Sequence, residues 1–191
     1  MSAIKPPSPP YVGPPAHSSA GSNKPIHRIV IHSTVSPSGA GWARKIGAYF
    51  RDPAAGGSAH YIVDASEIVQ GAYDSVVCWH APPNGNSLGI EMCDYPSATS
   101  KKRWFDKDHV ALLNRTARLT AHLALAYDVP IRFVDDEDLR GGKDGITTHN
   151  FVSKAWNQST HWDPGAWPRK TFMRLVRFHA ARIAKRNDPK D

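Results

Sequence analysis

Near the start of the folded part of this chain, Ile26-His27-Arg28-Ile29-Val30-Ile31 crowds β-branched residues together and stops at His32-Ser33-Thr34. Such a run reads as a buried central strand, around which other elements must be arranged. Its exit is a rigid mount at an open sheet edge, and the side chain standing there is His32. Residues 58–64 and 67–71 are two more strand-like runs, and their tight joint at Ala65-Ser66 makes them an antiparallel hairpin. Ser87-Leu88-Gly89-Ile90-Glu91-Met92-Cys93 is also β-prone, yet it carries a carboxylate in mid-run. A buried, unpaired carboxylate is costly, so Glu91 needs a reason to be there.

Helical patterns fill the intervals. Residues 41–50 place Trp42, Ile46, Tyr49 and Phe50 at helical spacing, closed by Asp52-Pro53 and Gly56-Gly57. Asp106 is an N-cap for a helix to about Asp128, with Val110, Leu113, Ala117, Thr120 and Ala124 on one stripe and Arg115 and Arg118 off it. Asp135 to Asp138, running into Gly141-Gly142, reads as a solvated acidic loop without the spacing of a calcium-binding hand. Residues 145–148 read as a last short strand and 150–156 as a helical turn or two. Pro168 opens a C-terminal helix whose Phe172, Leu175, Val176, His179 and Ile183 pack inward while Arg174, Arg177, Arg182, Lys185 and Arg186 face out.

The first 25 residues hold seven prolines among Ser, Gly and Ala, with almost no apolar periodicity. They are expected to be a disordered tail or linker, leaving residues 26–191 as one domain. The net charge of +7 favours anionic partners: nucleic acid, a membrane surface or an acidic wall polymer. No basic and aromatic stripe or nucleic-acid motif is present, so nucleic acid is not an expected partner. No apolar run approaches the roughly 18 residues needed to span a bilayer, and no secretory leader is visible, so neither a membrane nor export through a signal peptide is expected. Cys78 and Cys93 are too few for a disulfide framework and read as buried, with a bridge left open.

Two further segments carry metal-type ligands. Thr148-His149-Asn150 is followed by His161-Trp162-Asp163-Pro164-Gly165. Imidazole and carboxylate suit a borderline cation such as Zn²⁺, and catalytic zinc sites typically take three protein ligands. His32 is the best third candidate, giving His32, His149 and Asp163.

Taken together, His32-Ser-Thr, Ser-Ala-His60-Tyr61, Trp79-His80-Ala, Ser-Leu-Gly-Ile-Glu91, Thr-His149-Asn and His161-Trp-Asp163-Pro-Gly resemble the zinc-dependent N-acetylmuramoyl-L-alanine amidases of the type 2 class, with an endolysin flavour. The resemblance runs from about Ile26 to the C-terminal helix. It implies an α/β fold, a central mixed β-sheet flanked by helices with one Zn²⁺ in a groove over the sheet, and cleavage of the amide between N-acetylmuramic acid and L-alanine of peptidoglycan. By motif, His32, His149 and Asp163 take the ligand positions and Glu91 the catalytic carboxylate, accepting a proton from water and returning it to the leaving amine. His161 falls where many relatives carry lysine. It would stabilise the oxyanion or, alternatively, hydrogen-bond to Asp163. His80, Trp79 and Trp162 are weaker substrate-binding candidates, with Trp167 as a further groove wall, while His60 and Tyr61 read as structural. The implied enzyme is a monomer made in a phage host's cytoplasm and acting on the cell wall after release, with the basic C-terminal helix drawn to anionic wall polymers. The rival reading is a catalytically silent peptidoglycan-binding module.

Overall fold

The computed structural model describes residues 4–187; the first three residues of the expected tail and the last four of the chain lie outside them. Seven strands and five α-helices follow in order: β1 (Ser18–Ser19), β2 (Arg28–Ser33), α1 (Trp42–Tyr49), β3 (Tyr61–Val63), β4 (Ile68–Gln70), β5 (Val77–Cys78), β6 (Ser87–Met92), α2 (Lys107–Ala126), α3 (Asp136–Arg140), β7 (Gly145–Thr148), α4 (His149–Trp156) and α5 (Arg169–Arg186). Five strands form the main sheet in the order β4-β3-β6-β2-β7. The β3–β4 hairpin is antiparallel as expected, and every other pairing in the sheet is parallel, which makes it mixed. The run that ends at His32 is the buried strand second from one edge.

Period-two alternation gives the sheet two different faces. Ile29 and Ile31, Tyr61 and Val63, and Leu88, Ile90 and Met92 point one way, into a core closed by Leu112, Leu123, Phe172 and Val176 of α2 and α5. Val30 and Ile62 point the other way, toward α3 and α4 and toward α1 respectively. His32 and Glu91 belong to this second face, because the register pairs His32 with Glu91 and Glu91 with Ile62. One face is therefore sealed by two long helices. The other is covered only at its sides.

Asp106 caps α2 by accepting from the His109 amide at 2.9 Å. Val110 does not belong to the buried stripe of α2: it is 52% exposed, and Leu112, Thr116 and Leu119 complete the inner face instead. The acidic segment expected as a loop is the short helix α3, because the Asp135 carboxylate accepts from the Asp138 amide and Arg140 and Lys143 pair with Asp136 and Asp138. Cys78 and Cys93 are both buried free thiols. No helix among the described residues is long and apolar enough to cross a membrane.

The proline-rich segment is extended, but it is laid against the domain instead of hanging free. Val12 donates to Gln70 O and Gln70 to Pro10 O, so it protects the open edge of β4. β1 pairs with β5, and Tyr11 stacks on Tyr73 at 4.6 Å. Asn23 is fully buried, its amide donating to Asp74 O and Ser87 O and its carbonyl accepting from the Ser87 amide. Composition missed this because the segment has no core of its own and borrows one.

Candidate metal centre

Three elements bring the site together. β2 carries His32 one residue before its end, α4 begins with His149 directly after β7, and the loop before α5 supplies Asp163. All three residues are buried, and each can offer one ligand atom within 4.8 Å of the others. His32 Nδ1 lies 3.3 Å from Asp163 Oδ2, and His149 Nδ1 lies 3.2 Å from Asp163 Oδ1. Asp163 is held in place by its backbone. Asn150 N donates to its carbonyl, Ser33 N donates to Oδ2, and Gly165, at φ +66°, turns the chain so tightly against Ser97 that a Cβ there would meet Ser97 O at 2.4 Å.

Hydrogen bonds assign the His32 tautomer. Ser87 Oγ donates to the Asn84 carbonyl at 2.7 Å, so it accepts from His80 Nε2 at 3.0 Å. His80 Nδ1 is then an acceptor, and its partner at 3.1 Å is His32 Nε2, which must carry the proton. His32 Nδ1 is left free to meet a ligand and faces a carboxylate oxygen at 3.3 Å. A cation bound between the two would satisfy both. His149 is similarly engaged at its far nitrogen, where Nε2 lies 3.2 Å from Ser159 Oγ. The donor set of two imidazoles and one carboxylate, each imidazole oriented from behind, fits Zn²⁺.

Burial lowers the proton affinity of His149, against the pull of Asp163, and burial with the neighbouring histidines lowers that of His80 much further. Asp163 is buried, which alone would raise its pKa, but the facing imidazoles of His149 and His32 outweigh this and hold it far below the usual carboxylate range. Neutral imidazoles and an ionised carboxylate are the protonation states a cation requires. Glu91 behaves oppositely: burial and the nearby Asp163 charge push its pKa well above normal. Its Oε1 lies 4.0 Å from His32 Nδ1, and its buried Oε2 has no hydrogen-bond partner.

The remaining expected site residues divide. His161 sits on the rim, its ring stacked on that of His149 with centroids 4.5 Å apart and planes 13° apart, and with Nδ1 3.9 Å from Asp163 Oδ1. Trp79 is half exposed and lines the groove, while Trp162 lines a smaller cavity beside it with Val35 and Pro96. His80 lies along the groove as expected, but at its base: it is 7% exposed with both ring nitrogens bonded within the chain, and Gly89 is bare because a Cβ there would meet the His80 ring at 2.7 Å. Trp167 is not a groove wall, since it is buried against Phe172 at 4.9 Å. His60, as expected, is structural, accepting from Gly89 N behind the site.

A groove of about 610 Å³ runs over His32, His149, Asp163 and Glu91. Its other wall, missed in the sequence, is Tyr49 and Phe50 at the end of α1 with the Gly56-Gly57 loop. The available signal was an aromatic pair half exposed on a short amphipathic helix.

Comparison with known proteins agrees with this geometry. A family model described as N-acetylmuramoyl-L-alanine amidase matches residues 22–166. Among solved structures, the chain is similar to the Staphylococcus aureus hydrolase AmiA in complex with its ligand (18% identity, TM-score 0.69, covering 97% of this chain and 89% of that one). It is also similar to the endolysin N-acetylmuramoyl-L-alanine amidase LysCS from Clostridium intestinale (16% identity, TM-score 0.60, covering 91% and 98%) and to the catalytic domain of XlyA (18%, 0.54, 92% and 94%). At these identities the structural likeness speaks for the fold. A search of curated proteins finds no match.

Proposed function

The chain belongs to the N-acetylmuramoyl-L-alanine amidase family and is a peptidoglycan-cutting hydrolase, and we propose that it works with one Zn²⁺ held by His32, His149 and Asp163, as the lytic amidase of a phage endolysin. The observation that carries this reading is the pair of imidazole Nδ1 atoms converging on the Asp163 carboxylate beside Glu91, whose Oε2 has no partner.

When bound, the ion supplies Lewis-acid polarisation of the scissile carbonyl and makes water available as a nucleophile at neutral pH. Glu91 takes the proton of the attacking water and delivers it to the L-alanine nitrogen as the amide breaks. Its raised proton affinity suits it to both halves of that transfer. His161 donates a hydrogen bond to the carbonyl oxygen as negative charge develops there. The stack on His149 fixes the plane of its ring for that purpose. Trp79 and Tyr49 flank the groove where sugar and peptide lie. The reading takes the enzyme as a monomer acting on the cell wall.

The test is hydrolysis of purified peptidoglycan, counting new L-alanine amino termini against new reducing ends. Amino termini are expected, lost with chelator and restored by zinc. Glu91→Gln should lower kcat by roughly 10²–10⁴-fold while zinc content stays unchanged. New reducing ends in their place would overturn the assignment.

A further inference from the structure

The excess positive charge of this chain is confined to one helix. α5 contains seven Lys and Arg and no Asp or Glu. Subtracting its seven from the chain's 24 leaves 17 basic residues against 17 acidic ones. All seven are exposed, and none is among the described Lys and Arg ion pairs, which are Arg44–Glu67, Arg103–Asp94, Arg140–Asp136 and Lys143–Asp138. α5 packs with α2 on the sealed side of the sheet, away from His32 and Glu91. The net charge of the enzyme therefore sits behind its catalytic groove.

One of the seven, Arg186, joins basic residues from outside α5 in a concave surface. Where the strap of residues 4–7 crosses α2 and the end of α5, Lys5, Arg118 and Arg186 line a cavity of about 680 Å³ floored by Leu119 and Ile183. A second cavity of about 290 Å³ adjoins it, sharing Arg118 and Leu119 and adding Arg115. Neither is lined by an Asp or Glu, and neither by a Phe, Tyr or Trp. We infer that this track binds a phosphodiester-linked anionic polymer of the cell wall, which anchors the enzyme from behind while the groove meets peptidoglycan.

The chemistry of the track selects this occupant. Guanidinium forks match phosphate oxygens in pairs, and Arg118, common to both cavities, can hold one phosphate while Arg115 and Arg186 meet its neighbours along the chain. The aliphatic floor takes the carbon linkers between phosphates. A nucleic acid strand would call for a row of aromatic platforms under its bases, and no Phe, Tyr or Trp lines either cavity. The inference rests on the amidase reading only for placing the enzyme at the wall; the binding itself is measured separately.

The experiment is sedimentation of the full-length protein with purified walls, before and after hydrofluoric acid has stripped their phosphodiester-linked polymer. Three forms are compared: wild type, Lys5→Gln/Arg118→Gln/Arg186→Gln, and a control, Arg174→Gln/Arg177→Gln, that removes charge from α5 outside the cavities. We expect stripping and the triple substitution each to weaken wall binding by about tenfold or more, without adding to one another, and the control to bind within about twofold of wild type. Hydrolysis of a soluble muramoyl-tripeptide should be equal in all three. Equal binding to stripped and unstripped walls overturns the inference, as does an equal loss in triple variant and control, or displacement by duplex DNA at lower phosphate concentration than by the extracted polymer. Failure of the wild type to cut the soluble substrate would instead strike the amidase reading, whatever the binding shows.

Discussion

Arg103 grips Asp94 with two parallel hydrogen bonds, Nε to Oδ1 at 2.7 Å and Nη2 to Oδ2 at 2.8 Å, and uses its remaining reach to hold the carbonyls of Pro164 and Ala166 at 3.3 and 3.1 Å. Asp94 in turn accepts from Ser33 Oγ, the residue after His32. One buried carboxylate thus ties the strand bearing His32 to the loop bearing Asp163.

Arg103→Ala should therefore do two things. Leaving Asp94 buried without its partner costs about 3 kcal/mol of stability, and the freed loop weakens metal retention by roughly tenfold. Urea unfolding and chelator competition read the two effects; unaltered metal retention in a folded variant would show that the clamp does not position Asp163.

Both ring nitrogens of His80 are engaged within the chain, so its substitution should not look like a binding defect. His80→Ala removes the acceptor that fixes the His32 tautomer, and metal affinity should fall by about 10–100-fold while KM at saturating metal stays near wild type. A raised KM with normal metal affinity would make His80 a substrate contact instead.

Asn23 tests whether the proline-rich segment belongs to the domain. Asn23→Ala strands the Ser87 amide and carbonyl in a dry interior, a loss of about 2–3 kcal/mol by thermal or urea unfolding. Truncation before residue 22 that left stability intact would mean the strap is ornamental.

His109 has a carboxylate on each ring nitrogen, Asp94 at 3.0 Å and Asp106 at 2.7 Å. Partial burial alone would lower its pKa, but these bonds outweigh it and the net shift is upward. A raised folded-state pKa contributes stability that is complete below the unfolded value of about 6.5 and disappears as pH climbs through the folded one. Melts of wild type and His109→Gln at pH 5.5 and 8.5 should show the wild-type advantage shrinking at the higher pH. An advantage that grew with pH would mean the ring is neutral.

What the sequence disclosed follows the range over which each feature is determined. His32 at the end of a β-branched run, Glu91 misplaced in an apolar strand, and His149 and Asp163 beside turn residues are each defined by a few neighbours in the chain, and all four converge. The roles of His80 and Arg103 were not legible, because each depends on a contact made only after folding: Gly89, on the next strand, leaves space for the His80 ring, and Arg103 meets a loop some sixty residues away. α3 was missed because five residues show no apolar period, although Asp135 three before Asp138 is a cap signal. The strap was misread because proline content reports on a segment's ability to fold alone, which Val12 and Asn23 never have to do.

His32 and Glu91 face each other across the parallel ladder of β2 and β6. A single-residue insertion or deletion inside β6 that shifted its C-terminal half would turn the carboxylate under the sheet, against α2, and bring a neighbouring apolar side chain to the groove. The six residues from Ser87 to Met92 consequently cannot absorb a change of length without dismantling the site, a constraint that the loops around them do not share.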